Sequence, residues 1–448
     1  MSGYTDHWDV QGLTSLPIEI LSRIFMYVDG SDIPALQQTC QALRSVTMAR
    51  QFWYDRIHRL CKEQVVYPPE EELEEYSIAE LEQWTMRRIR ARSTSPVKIQ
   101  LRSQDLPMPL FFGKTFLSPG GRWLIKPHYD LRVYFVDLDS SNLELHLLLD
   151  PKKDDPCISS NHQGLGFGTR IWIDHKAPRL SFRFQGCIAN TEGDPPFTWV
   201  YIYQVDLIGH GANATLVAQI IATFQCPKAR KPRFLNALND RYYVQGRGYQ
   251  SFTDASYTLP LSEDCSTHLE FISGNILAIY CNPTTSYHIF NIESPTSFNL
   301  LHEIKLPEGI DGLSRTYWTP EASLITFCSP IHLAMLERIY GLVIPHDSKL
   351  CPWTIQLDGF SGSRNGHMTF GPGIFISLLC NYKTDTISRF DHEWDYTCQS
   401  PGNGPTRTSY LEQVVDQLGK LVAFDEDTGR SVHFNNGKLK VLDMVIRG

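Results

Sequence analysis

The chain has 448 residues, of which 20% are charged, 42% hydrophobic and 12% aromatic. That balance excludes an intrinsically disordered chain, and the length allows two or three domains with an ample core. With 41 basic against 49 acidic residues, the formal charge of −8 argues against a phosphate-binding surface of global extent. The 11 cysteines are odd in number, scattered and without a C-x-x-C pair. Several lie in apolar runs, such as Cys281 and Cys380, so reduced, core-filling thiols are expected rather than disulfides or a zinc site. The first residues, MSGYTDHWDVQG, lack an apolar signal core, and the longest apolar runs are too short for a bilayer. A cytoplasmic or nuclear protein is expected.

The averages mix two regions that divide near residue 96. Of the first 96 residues, 24 are charged and 3 are Gly; of the remaining 352, 66 are charged and 27 are Gly. The first region reads as helical and the second as strands punctuated by turns. Pro17 suits a first helical turn, and Ile20, Leu21, Ile24, Phe25 and Val28 follow at three- and four-residue steps. Gly30 is expected to take a left-handed C′ conformation, with Ser31 or Asp32 capping a second helix that carries Leu36, Cys40 and Leu43. Phe52, Trp53, Ile57 and Leu60 mark a third. The acidic run Glu70–Glu75 reads as a solvated tether. Ser77 and Glu80 form a capping box that opens a helix to about Arg92, whose late arginines suit the negative end of its dipole. Three such helices leave Leu16, Ile18 and Ile33 without an obvious partner, which suggests a protein mate.

From Val97 onward short strand-like runs alternate with turns, including RVYFVDL (132–138), WVYIYQVDL (199–207), SYHIFNIE (286–293) and KLKVLDMV (438–445). These four share an apolar strand closing on an acidic residue. The form resembles the third strand of propeller blades in WD-repeat proteins. The final segment Leu421–Val445 reads as hairpins with DTG and NNG turns. Helical periodicity returns only at Tyr410–Leu418. The expected fold is α plus all-β: three N-terminal helices and a linker helix, then a β-propeller-like domain of six to seven blades closed by a strand from Val97–Leu117. Stacked β-sandwich layers are the alternative.

Catalytic signatures are missing: there is no HExxH, P-loop, dinucleotide fingerprint or nucleophile elbow. Gly164–Gly168 reads as a loop or bulge, and Asp391–Asp395 and the basic run Pro227–Arg233 read as solvated loops.

Leu13 to Ile57 resembles an F-box. Its LP-x-E-hydrophobic-Leu opening is met by Leu16, Pro17, Glu19, Ile20 and Leu21, and an Ile-Phe pair follows at Ile24 and Phe25. Asp32 and Ile33 supply the acidic-aliphatic step, Leu36, Cys40, Leu43 and Arg44 the second helix, and Phe52–Trp53 the late aromatics. The layout is similar to the F-box families of mushroom-forming (basidiomycete-type) fungi, whose tails are often divergent propellers. The resemblance implies a flexible start (1–12), an F-box (13–60), an acidic spacer and linker helix (61–96) and a substrate-recognition domain (97–448). It implies a non-catalytic substrate receptor of a cullin–RING (SCF-type) ubiquitin ligase. Such a subunit docks on a Skp-type adaptor, and through it a cullin, and binds an unknown protein substrate, with no cofactor, metal, nucleic acid or membrane. Leu16, Pro17, Ile20, Leu21, Ile24, Ile33 and Leu36 would face the adaptor or hold the helices that do, over a core of Phe25, Val28, Cys40, Leu43 and Trp53. The other readings are a propeller hydrolase or lyase with accessory helices, and an F-box scaffold that joins no ligase.

Overall fold

The computed structural model describes residues 12–63, 66–92, 97–105, 115–128, 132–154, 163–190, 197–227, 236–238, 242–245, 248–251, 256–258 and 268–273. It further describes 275–281, 285–294, 297–306, 312–313, 317–318, 321–331, 336–347, 349–361, 366–370, 376–381, 386–391, 410–414, 419–435 and 437–446. The boundary at Ser93–Pro96, the basic run after Pro227 and His392–Asp395 lie outside these residues. No helix among the described residues is long and apolar enough to cross a membrane.

The N-terminal region is helical: α1 (Ile18–Phe25), α2 (Ile33–Thr39), α3 (Gln41–Thr47), α4 (Arg50–Glu63) and α5 (Ile78–Arg92). The single second helix expected over Leu36, Cys40 and Leu43 is two, because Cys40 is extended (φ −158°, ψ 164°) and breaks the ladder between α2 and α3. Leu21, Phe25, Ile33, Leu43, Val46, Phe52, Trp53, Ile57 and Leu60 form one core, which also takes in Val66 and, from α5, Leu81, Trp84 and Met86. The linker helix is therefore part of the same packed unit as the first four. Its capping box forms as read: Ser77 N–H donates to Glu80 Oε2 at 2.7 Å, and Glu80 N–H to Ser77 Oγ at 3.3 Å.

Two details at the α1–α2 turn differ from expectation. The cap acceptor is Asp29, whose carboxylate takes both the backbone N–H and the hydroxyl of Ser31 at 2.8 Å. Those bonds hold its carboxyl below the ordinary range. Gly30 is not left-handed; it is needed because α5 presses on it. A Cβ there would lie 2.2 Å from Ile89 Cδ1 and 2.9 Å from Arg56 Nη2. Gly30→Ala is expected to cost about 1–3 kcal/mol through overpacking, read as a lower Tm of the full chain.

Among the described residues the strands form seven antiparallel sheets. The first three contain β2 (Phe116–Leu117), β3 (Trp123–Pro127), β4 (Val133–Asp137) and β5 (His146–Leu149); β6 (Gln163–Ile173), β7 (Ser181–Asn190), β8 (Phe197–Ile208) and β9 (Thr215–Pro227); and β10 (Asn236–Leu238), β11 (Tyr242–Gln245), β12 (Gly248–Ser251) and β13 (Ser256–Thr258). The fourth contains β14 (His268–Ser273), β15 (Ile276–Cys281), β16 (Ser286–Ser294) and β17 (Ser297–Lys305). The fifth has β18 (Gly312–Leu313), β19 (Tyr317–Trp318), β20 (Ala322–Ile331), β21 (Leu336–Pro345) and β22 (Trp353–Ser361). The sixth has β23 (Gly366–Phe370), β24 (Ile376–Asn381), β25 (Thr386–Asp391) and β26 (Tyr410–Val414). The last joins β27 (Lys420–Asp425), β28 (Arg430–Asn435) and β29 (Lys438–Ile446) to β1 (Val97–Asp105), which pairs along β29 from Val97↔Ile446 to Asp105↔Lys438.

Each sheet is a meander, and first strands of neighbouring sheets lie side by side, β2 with β27, β6 with β10, β10 with β14 and β23 with β27. That is the order of a β-propeller, closed as expected by an N-terminal strand, and not of stacked sandwiches. Fewer blades than the six to seven expected are described in full. Five blades carry described side chains, while for β10–β13 and β23–β26 only the strand pairing is described.

Between blades, Trp123, Phe135, Phe182, Tyr201 and Tyr203 share one core, Val136, Leu138, Val432 and Val441 another, and Tyr287, Ile289, Phe327 and Leu342 a third. The four runs ending in an acidic residue all occupy the third strand of their sheet: β4, β8, β16 and β29. Gly164 and Gly166 flank a register shift in β6, a bulge as read from the sequence. Tyr410–Val414 is a strand and not a helix. Among the described cysteines, Cys40 and Cys61 are half-buried and Cys351 is exposed, and none of the three is in a disulfide.

Candidate docking face and its junction with the propeller

Helical periodicity splits α1 into two faces. Leu21 and Phe25 turn into the core, while Leu16, Ile18, Ile20 and Ile24 stay 38%, 45%, 43% and 37% exposed. Leu13, Tyr27 and Met48 are exposed as well. Apolar residues gathered at this density on one short helix and its approach form a patch that water does not favour.

Of the seven residues assigned to the adaptor, Leu16, Pro17, Ile20 and Ile24 are exposed and Leu36 is half-buried. Leu21 and Ile33 are buried and hold the helices. Ile33 thus has its partner inside the chain, contrary to expectation. The five core residues keep their place: Phe25, Leu43 and Trp53 are buried, and Val28 and Cys40 pack half-buried against them. Trp53 also donates its indole N–H to Thr47 O at 2.7 Å.

Two arginines of α4 hold the end of α1, a feature the sequence reading did not single out. Arg56 donates to Phe25 O at 3.1 Å and Val28 O at 3.0 Å, and Arg59 donates to Met26 O. They satisfy carbonyls that a helix end leaves unpaired.

The acidic spacer is no solvated tether; it is the joint between helices and propeller. Tyr67 N–H donates to Asp427 Oδ2 at 3.1 Å, and its ring stacks on His175 with centroids 5.5 Å apart. Glu70 accepts Trp123 Nε1 at 3.1 Å through its side chain and Leu180 N–H at 2.7 Å through its carbonyl. Glu71 takes Arg122 Nη1 at 3.0 Å and Gly211 N–H at 3.3 Å, and meets His210 Nδ1 with its other oxygen. Arg122 also pairs with Asp137 at 2.9 Å, which keeps the guanidinium charged against the opposing effect of burial. Glu75 pairs with Arg179 at 2.9 Å. Glu71, Glu75 and His210 present ligand atoms within 4.8 Å of one another, but the two arginines already balance the carboxylates.

The arginines of α5 do more than complement a dipole. Arg87 bonds Asp139 at 3.0 Å and Asp443 at 3.3 Å. Arg430 reaches the same two carboxylates at 2.8 and 2.6 Å, and Arg102 reaches Asp443 at 2.9 Å. Burial opposes charge on Asp139 and Asp443, and the arginines overcome it, holding both carboxyls below the usual range.

Arg88 is 3% exposed, stacks on Trp84 at 3.6 Å and lies among Asp427, Asp425 and Glu70. The turn before β3 closes over this group: Gly120 and Gly121 have φ of 83° and 70°. A Cβ on Gly120 would meet Glu70 Oε1 at 2.9 Å, and one on Gly121 would meet Thr428 Oγ1 at 2.6 Å. Burial pushes Glu70 up to about 8, and Asp425, buried beside Asp427, up to about 6.

Residues 13–59 match the F-box-like family model. No curated protein matches the chain at a significant level. Among solved structures, the β-propeller domain of Cps50 (Swd1) from Myceliophteria thermophila aligns at 14% identity and a TM-score of 0.42, covering 78% of this chain and 99% of that one. A virginiamycin B lyase from Staphylococcus aureus aligns at 12% and 0.39, covering 78% and 100%. The WD40 domain of SCAP from fission yeast aligns at 11% and 0.38, covering 76% and 85%. The chain carries an F-box-like domain at its helical end, followed by the β-propeller that its own sheet order defines.

Proposed function

We propose that the chain is a substrate-receptor subunit of an SCF-type cullin–RING ubiquitin ligase, without catalytic activity of its own, acting in the cytoplasm or nucleus. In this reading the F-box spans 13–60, the spacer and linker helix 61–96, and a β-propeller at 97–448 receives a protein substrate, as in the fungal F-box families with propeller-like tails. One observation carries the proposal: the F-box-like segment leaves Leu16, Ile18, Ile20 and Ile24 exposed on a single apolar face. That face fits a groove on a Skp-type adaptor. Burial there yields roughly 25 cal/mol per Å² of apolar area before the cost of association.

Leu16→Ala combined with Pro17→Ala is expected to abolish co-purification with the Skp-type adaptor. Both residues lie outside the helical core, so the circular dichroism of the chain is expected to stay unchanged. Undiminished capture of the adaptor by the double variant sinks the assignment of this face.

A further inference from the structure

Two parallel stripes run along α1 and its exit. Leu21, Phe25 and Val28 recur at four- and three-residue steps and pack into the helical core. One position earlier, Ile20, Ile24 and Tyr27 recur at the same steps and stay exposed, and residues so spaced are neighbours on a helix. The helical path carries past the end of α1: Tyr27 N–H donates to Ile24 O at 3.0 Å, and Val28 N–H to Phe25 O at 3.2 Å. Tyr27 therefore continues the apolar face that Ile20 and Ile24 begin. At 82% it is the most exposed of the large hydrophobic side chains among the described residues.

A lone exposed ring needs no explanation, but this one lies on a stripe and is held in place. The carbonyls of Phe25 and Val28 accept from Arg56 and that of Met26 from Arg59, so α4 fixes the backbone before and after Tyr27. The Arg59 guanidinium also lies over the tyrosine ring, 5.1 Å from its centroid. Capping the helix end requires only the carbonyl bonds. The guanidinium over an open ring adds order to a side chain that the helical core does not use. Ordering a side chain before the encounter lowers the entropy cost of association. Tyrosine is also enriched among the few residues that carry most of an interface's energy, because it offers a large, stiff ring with few torsions to freeze.

On the adaptor-docking reading, we infer that Tyr27 is an anchor of the docking face and that Arg59 is its positioning residue. The ring adds an aromatic end to the Ile20–Ile24 stripe, and its hydroxyl is left for a polar group at the rim of the adaptor's groove.

The test measures binding of the purified Skp-type adaptor to the full chain by biolayer interferometry. The variants are Tyr27→Ala, Arg59→Met, the two combined, and Leu16→Ala with Pro17→Ala. Tyr27→Ala is expected to weaken binding about 30-fold, the scale of a hot-spot residue, mainly through faster dissociation. Its circular dichroism and Tm are expected to match wild type, because the ring lies outside the helical core. Arg59→Met is expected to weaken binding about two- to fivefold, the strength of an exposed cation–π contact. The combined variant is expected to bind no more weakly than Tyr27→Ala alone, because Arg59 acts through the ring it orders. Losses that multiply in the combined variant show Arg59 acting apart from Tyr27 and overturn the pairing. Wild-type binding by Tyr27→Ala, with binding lost in the Leu16–Pro17 variant, overturns the inference and leaves the docking assignment standing. Wild-type binding by both sinks the docking assignment and this inference with it.

Discussion

Arg88→Ala is expected to destabilise the full chain by about 3–5 kcal/mol, the range for removing one partner of a buried charge group. The residue is buried against Trp84 and lies among Asp427, Asp425 and Glu70. Without it, the carboxyls of Asp425 and Asp427 lose a buried counter-charge, only Arg122 remains beside Glu70, and the cation–π contact is lost as well. Chemical denaturation followed by fluorescence reads the effect; with Trp84 and Trp123 both at the joint, the signal reports on the region concerned. A loss under 1 kcal/mol would show that solvent reaches the pocket and that the joint does not depend on Arg88.

Glu70→Gln is expected to act through pH. Glu70 holds its proton in the fold up to about pH 8, against an ordinary value of 4.5. Between those values the unfolded chain binds fewer protons than the folded one, so stability falls as pH rises across the window and levels off above it. One group contributes at most about 1.4 kcal/mol per pH unit. Asp425, raised to about 6 from 3.8, slopes the same way but only below pH 6. His175 and His433, held down to about 4 and 3 by burial, make stability rise with pH until the free imidazole range near 6.5 has been passed, so the interval from pH 7 to 8 is the one that reads Glu70. Denaturation at pH 7, 7.5 and 8 is expected to show a falling stability in wild type and a flatter profile in the glutamine variant. Parallel profiles would mean that Glu70 is ionised throughout.

Much of the helical end was legible in the sequence because its signals are local. The three- and four-residue steps from Ile20 to Phe25, the Ser77–Glu80 capping box and the late aromatics Phe52 and Trp53 all describe contacts within a few turns of helix. The same holds for the apolar-then-acidic runs that became third strands. What stayed hidden is long in range. Five glutamates within Glu70–Glu75 look alike in composition, and only partners 51 to 139 residues away, Arg122, Trp123 and His210, decide that Glu70 and Glu71 are buried. The Cys40 break was illegible for a different reason: the spacing of Leu36, Cys40 and Leu43 suits one helix as well as two, and a backbone φ leaves no mark on apolar periodicity. Tyr410–Val414 is too short for its apolar pattern to separate strand from helix.

The pairing of β1 with β29 also has a consequence for how the chain is born. The helical end leaves the ribosome before the propeller, with its own core complete in Leu21 through Met86. Its acidic spacer and Arg88 must then wait for Asp425, Asp427 and Arg430, and β1 must wait for β29, until all the blades between have been made. A nascent or truncated chain ending before β27 therefore presents a formed apolar helical face beside an open acidic joint and an unpaired first strand. Closing the ring is the same event as seating the helices, so a chain that fails to finish is marked at both places at once.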